Sequence, residues 1–98
     1  MEQTANNVIF IGAKNIMNYV NAAQMQFRES NNKEIVISAR GRFISRAVDV
    51  EEILRKRFLK DENLQVKEVK LDSEEFEDKE NKKKKVNVSS IEIRLEKI

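Results

Sequence analysis

IVISARGRFISRAVDVEEILRKRF, residues 35–58, carries an apolar strand that runs into Arg40-Gly41-Arg42, and an amphipathic helix begins at once. Ile35, Val36 and Ile37 are β-branched residues that suit a pleated, buried strand. From Phe43 the set Phe43, Ala47, Val50 and Leu54 recurs at helical spacing, with Ile44, Val48 and Phe58 extending or overhanging the stripe. Two arginines flank a glycine where strand becomes helix. That places two guanidinium groups, several free backbone N–H groups and a helix N-terminus in one small region, which suits an anion. Two arginines in place of the single lysine of a nucleotide-binding phosphate loop point to a polyanion backbone. The chemistry implied is nucleic-acid binding.

Upstream, Val8 to Ile11 form a continuous apolar run ended by Gly12, the pattern of a central strand buried on both faces. Asn15 is placed to cap a helix on which Ile16, Val20, Ala23 and Phe27 share a face, with Met17 widening it. The polar run 28–32 ends that helix. Downstream, Leu64 and Val66 alternate and the phase then moves to Val69 and Leu71; Val86 and Val88 alternate and the phase moves to Ile91, Ile93 and Leu95. A slip of one residue turns every later side chain to the other face, so each slip predicts a bulge or a strong twist in a long hairpin. The charged connection 72–85 is expected as a flexible hairpin loop. The order is β-α-β-α-β-β, an α+β two-layer sandwich with two helices on one face of a four-stranded sheet and an extended final hairpin. A right-handed crossover between the first two strands sets Gly12-Ala13-Lys14 beside Arg40-Gly41-Arg42, merging two basic spots into one patch.

The length of 98 residues suits one domain over 7–98, preceded by a disordered polar stretch 1–6. The chain has no cysteine and no histidine, which excludes disulfides, thiolate sites, the commonest general base and the commonest zinc ligand. No cofactor or metal is expected. Asp49, Glu51 and Glu52 lie on a helix among basic residues, where ion pairing with Arg55 and Arg57 accounts for them better than acid–base chemistry, so no enzyme is expected. No apolar run nears the ~18 residues of a membrane span, and residues 1–7 lack a basic-then-apolar leader, so a soluble intracellular protein is expected. The net charge of +2 is unevenly spread: residues 1–60 hold ten Lys and Arg against six Asp and Glu, whereas residues 61–98 hold nine against eleven. Five of the seven arginines fall between Arg40 and Arg57, and a guanidinium fork matches phosphate oxygens better than an ammonium does. Nothing resembles a recognition helix with an Asn/Gln/Arg face, so phosphate contact and shape remain, without base readout.

The stretches VIFIGAK (8–14), MNYV (17–20), EIVISARGR (34–42), ISRAVD (44–49), RFL (57–59) and SIEI (90–93), in that order, resemble the Alba family of archaeal chromatin proteins. The likeness covers nearly the whole chain from Asn7. It implies a fold similar to the C-terminal domain of translation initiation factor 3. It also implies a dimer, homodimeric or paired with a paralogue, that binds double-stranded DNA and RNA with little sequence preference, coating and compacting chromosomal DNA in the cytoplasm of an archaeal cell. The alternative it leaves open is an RNA-binding protein acting in RNA folding or stability, or as a ribonucleoprotein subunit. Lys14 matches a basic loop position used on nucleic acid, and Arg40, Arg42 and Arg46, around Gly41, match the family's ARGR-x-x-S-[KR] motif. Arg57 and Phe58 match the contact between neighbouring dimers on DNA; by periodicity alone Phe58 would close the chain's own core. Lys82, Lys83, Lys84 and Lys85 form the charged part of a hairpin arm expected to enter a minor groove or to follow the backbone, although residues 74–85 hold five acids and five bases. Many members carry two lysines where this chain has Ala13 and Lys14, so an acetylation switch at the first is absent here or moves to Lys14.

Overall fold

A computed structural model describes residues 7–28, 32–81 and 83–98. The stretch 1–6 and Lys82, about which the sequence raises expectations, lie outside the described residues. The chain runs β1 (Val8–Phe10), α1 (Ile16–Arg28), β2 (Glu34–Arg40), a 3-10 turn (Gly41–Phe43), α2 (Ile44–Ile53), a π-helical turn (Leu54–Phe58), a second 3-10 turn (Lys60–Glu62), β3 (Leu64–Glu77) and β4 (Lys85–Lys97). The sheet order is β1-β2-β4-β3, with β1 parallel to β2 and the other pairs antiparallel. This is the α+β architecture the pattern of residues predicts.

Ile35, Ile37 and Ala39 of β2 stand opposite Leu95, Ile93 and Ile91 of β4, and directly opposed residues share a face. Against that face α1 lays Val20, Ala23 and Phe27, and the second helix lays Ala47, Val50 and Leu54. Burying each large apolar side chain in this layer contributes about 1.5–3 kcal/mol. Met17, expected to widen the α1 stripe, is exposed instead.

The run 8–11 reads as a central strand, but β1 is an edge strand. Ile9 and Ile11 enter the core while Phe10, on the opposite face, is 69% exposed. In so short a run every residue is apolar, so the alternation that marks an edge strand is invisible. The strand buried on both faces is β2, where Ile35 and Ile37 face the helices and Val36 is buried on the other side.

The first phase change in the hairpin is a β-bulge. Register steps from Val66↔Leu95 to Glu68↔Arg94, leaving Lys67 as the extra residue, so Val66 and Val69 share the helix-bearing face. The Lys67 ammonium reaches Glu96 at 3.3 Å and Glu34 at 3.6 Å. The second phase change carries no bulge: pairing continues unbroken from Glu68↔Arg94 to Glu77↔Lys85. Val86 and Val88 therefore face away from Ile91 and Ile93, and Val86 stands opposite Phe76. Beyond the helices the described residues cover neither face of the hairpin, so nothing obliges apolar residues to stay in phase. For the same reason the 72–85 connection is mostly ladder. Its turn is confined to 78–84, where Asp78 N–H donates to Lys84 C=O at 3.0 Å. Fourteen residues at ~3.3 Å each make a strand of ~46 Å, and the molecule is 51 Å long against 30 and 21 Å across.

The second helix ends differently from its periodicity. At the π turn, Leu59 N–H donates to Leu54 C=O at 2.8 Å, five residues back, which inserts one residue into the helical register. Leu59 rather than Phe58 consequently follows Leu54 into the core: Leu59 is 1% exposed and Phe58 41%. Arg28 at the end of α1 donates to Phe58 C=O at 3.1 Å and so satisfies a carbonyl the turn leaves open.

Candidate nucleic-acid interface

The β1–α1 loop and the start of α2 meet through one side chain. Arg46, half-buried in the first turns of α2, donates its Nε–H to Gly12 C=O at 3.0 Å and an Nη2–H to Lys14 C=O. From the other side, the Tyr19 hydroxyl oxygen accepts from the N–H of Gly12 at 2.9 Å and from that of Lys14 at 3.1 Å. The loop is thus held at both its carbonyls and its amides, with the Lys14 side chain outward and exposed. A Cβ added at Gly12 would sit in van der Waals contact with the Tyr19 hydroxyl, at 3.4 Å. Tyr19 is the residue sequence reasoning passed over. The available signal was a phenol on the inner half of an amphipathic helix, where its oxygen needs a polar partner.

Gly41 has φ +59°, a left-handed conformation that turns the chain from β2 into the 3-10 turn and that a side chain would strain. No described side chain caps this turn or α2, whereas the α1 N-terminus is closed by Asn15, whose Oδ1 accepts from Met17 N–H at 2.9 Å. Ile44 N–H at the start of α2 already donates to Gly41 C=O, so the amides at the start of the 3-10 turn are the ones left for an anion. Arg42 is exposed over the Phe43 ring at 4.9 Å. Lys14, Gly41, Arg42 and Arg46 are thus brought to one end of the sheet, as the parallel pairing of β1 and β2 requires.

Arg40 is not part of that cluster in its present contacts. It lies on the open face of the sheet, crossing β4 to reach Glu74 Oε1 at 3.1 Å and the Phe76 ring at 5.8 Å. The hairpin lysines divide as well. Lys85 pairs with Glu75 at 3.6 Å, while Lys83 and Lys84 sit exposed in the turn. Arg57 and Phe58 are exposed at the end of the second helix.

Two of the three helix acids, Glu51 and Glu52, are held as ion pairs, whereas among the described residues Asp49 and Arg57 do not join them. Arg55 bonds Glu51 and, at 2.6 Å, Glu52; Lys56 reaches Glu52 at 2.6 Å. Burial pushes the Glu51 carboxyl up, against the opposing pull of Arg55. Glu52 is lowered to about 2, first by its hydrogen bond with Glu51 and then by Lys56. Among the described residues no group of three or more acids is placed to hold a metal ion, and no helix is long and apolar enough to cross a membrane.

The Alba family profile matches residues 7–73. The DNA/RNA-binding protein Alba of Methanocella arvoryzae is 52% identical over 89 residues, covering 91% of this chain and 88% of the relative. That of Nanoarchaeum equitans is 53% identical over 87 residues, covering 89% and 93% respectively. Among solved structures, Alba from Thermoplasma volcanium superposes with a TM-score of 0.79 at 45% identity, over 93% of this chain and all of that one.

Proposed function

The chain belongs to the Alba family, and from that premise we propose that it binds double-stranded DNA and RNA through phosphate contacts, with little sequence preference. The observation that carries this reading is the Arg46 bridge, which holds the exposed Lys14 loop beside the uncapped 3-10 turn at Arg42. Lys14, Arg42 and the amides after Gly41 supply the phosphate contacts, Arg46 holds the loop they depend on, and Arg40 joins them from the open face. Lys83 and Lys84 at the hairpin tip extend the track, with Lys85 beside them.

The binding unit is a homodimer. Val69 and Leu71 pair with Ile93 and Ile91 and so continue the helix-bearing face into β3, yet they are 50% and 72% exposed. That face is one strand wider than the helices cover, and β3 is a long open edge; a second copy satisfies both. A paralogue with the same face would serve equally. Arg57 and Phe58, exposed beyond the π turn, meet the next dimer when DNA is coated, and the protein acts on the chromosome in the cytoplasm of an archaeal cell.

The test is a salt titration of binding to a duplex DNA, a duplex RNA and a structured RNA. In a Lys14→Ala/Arg42→Ala variant, affinity should fall alike on unrelated sequences, and the log K against log salt slope on duplex DNA should flatten by about 0.9 for each phosphate that is no longer neutralised. A folded double variant with wild-type affinity would overturn the reading.

A further inference from the structure

Among the arginines assigned to nucleic acid, Arg40 is held by a carboxylate of the hairpin. Glu74 stands on β3, two strands away, and its Oε1 lies 3.1 Å from Arg40 Nη2. Both side chains are more than half exposed, at 56% and 64%, so the pair is in contact with solvent and open to exchange. Phe76, two residues on along the same strand and therefore on the same face, offers its ring to the same guanidinium at 5.8 Å. The hairpin stem thus offers Arg40 an alternative seat made of an anion and a π face.

We propose that Glu74 is a built-in competitor for Arg40, a carboxylate occupying the place of a backbone phosphate, so that nucleic acid binds by exchanging one anion for the other. This rests on the reading of the chain as a nucleic-acid-binding protein. The exchange has a distinct electrostatic signature. When Arg40 takes a phosphate, the nucleic acid releases a condensed cation, while the freed Glu74 carboxylate regains an ordinary ion atmosphere that offsets part of that release. Arg40 therefore adds less to the salt dependence of the wild-type protein than an unpaired arginine would. With Glu74 neutral, Arg40 is unpaired beforehand and its full contribution appears.

Glu74→Gln tests this against Glu77→Gln, which adds the same charge on the same strand but on the other face, away from Arg40. On duplex DNA at low salt Glu74→Gln should bind about two- to fivefold more tightly than Glu77→Gln, the range an exposed ion pair spans. Its log K against log salt slope should be steeper by up to about 0.9 for each Arg40 that reaches a phosphate. In an Arg40→Ala background the Glu74→Gln gain should vanish, since the competitor then has nothing to compete for. If the wild-type protein fails to bind any nucleic acid, the functional reading falls and this proposal with it. If wild type binds and Glu74→Gln matches Glu77→Gln in affinity and slope, or binds more weakly, the competition is refuted while the functional reading stands.

Discussion

Replacing Leu59 and Phe58 by alanine, one at a time, should have unequal effects that invert what helical periodicity expects. Leu59 is 1% exposed and belongs to the core cluster, so Leu59→Ala leaves a cavity in that cluster. Leucine-to-alanine changes at such sites cost about 2–5 kcal/mol, a large share of the ~5–15 kcal/mol that holds a domain together. In a domain of this size each kcal/mol lowers Tm by ~4–8 °C, so a loss of about 3 kcal/mol lowers it by ~12–24 °C. Phe58 keeps 41% of its surface in solvent. Full burial of a phenylalanine contributes about 1.5–3 kcal/mol, so Phe58→Ala should lose about 1–2 kcal/mol and leave no closed cavity. Its Tm shift should be about one-third to two-thirds that of Leu59→Ala. Thermal melts followed by circular dichroism at one fixed protein concentration make the comparison, because association would make Tm concentration-dependent. On long DNA, Phe58→Ala should also lose cooperative coating while single-dimer affinity on a short duplex survives. A Phe58→Ala protein as destabilised as Leu59→Ala would refute the claim that the π turn hands the core position to Leu59.

Leu71→Glu should leave the fold intact and give a monomer mass by light scattering at micromolar concentration where the parent is a dimer; a dimeric variant would remove β3 from the interface. Glu51 has its folded pKa raised by burial, so between its ordinary value and that raised value the folded state binds more protons than the unfolded one, and stability falls as pH rises through that window. Relative to Glu51→Gln, which mimics the protonated acid, the wild type should therefore lose stability from about pH 4.5 upward in denaturant titrations; a difference that stays level or grows in its favour contradicts the burial. Tyr19→Phe removes the acceptor for the Gly12 and Lys14 amides. Hydrogen exchange at those two amides should speed up, and affinity for duplex DNA should drop with no change in salt slope, since no charge is removed; unchanged exchange would mean the hydroxyl does not hold the loop.

Much of the fold was legible in residues alone. The order of elements follows from two periods, 3.6 along 16–28 and 43–54 and 2 along the strands, because burial of one face imposes them. The bulge at Lys67 was legible for the same reason: Val66 and Val69 share a face only if a residue is inserted between them. The Lys14 loop could be set beside Arg42 from sequence, since parallel strands joined by a helix bring both strand ends to one edge.

Other features depend on contacts between residues far apart in the chain. Nothing local distinguishes Val8–Phe10 from a central strand, because edge or centre is decided by which strand β2 and β4 choose as neighbours. The π turn arises where Leu54 and Leu59 both find room under the sheet, and a one-residue insertion in a helix leaves no mark in composition. Arg46 and Tyr19 clamp the Lys14 loop, and Arg46 is 32 residues from Lys14. Arg40 and Glu74, 34 residues apart, meet only because β4 lies between their strands in register. A sequence records which side chains are basic and how often apolar ones recur. Whether a given arginine faces solvent, a backbone carbonyl or a carboxylate depends on strand order and register, which tertiary packing decides.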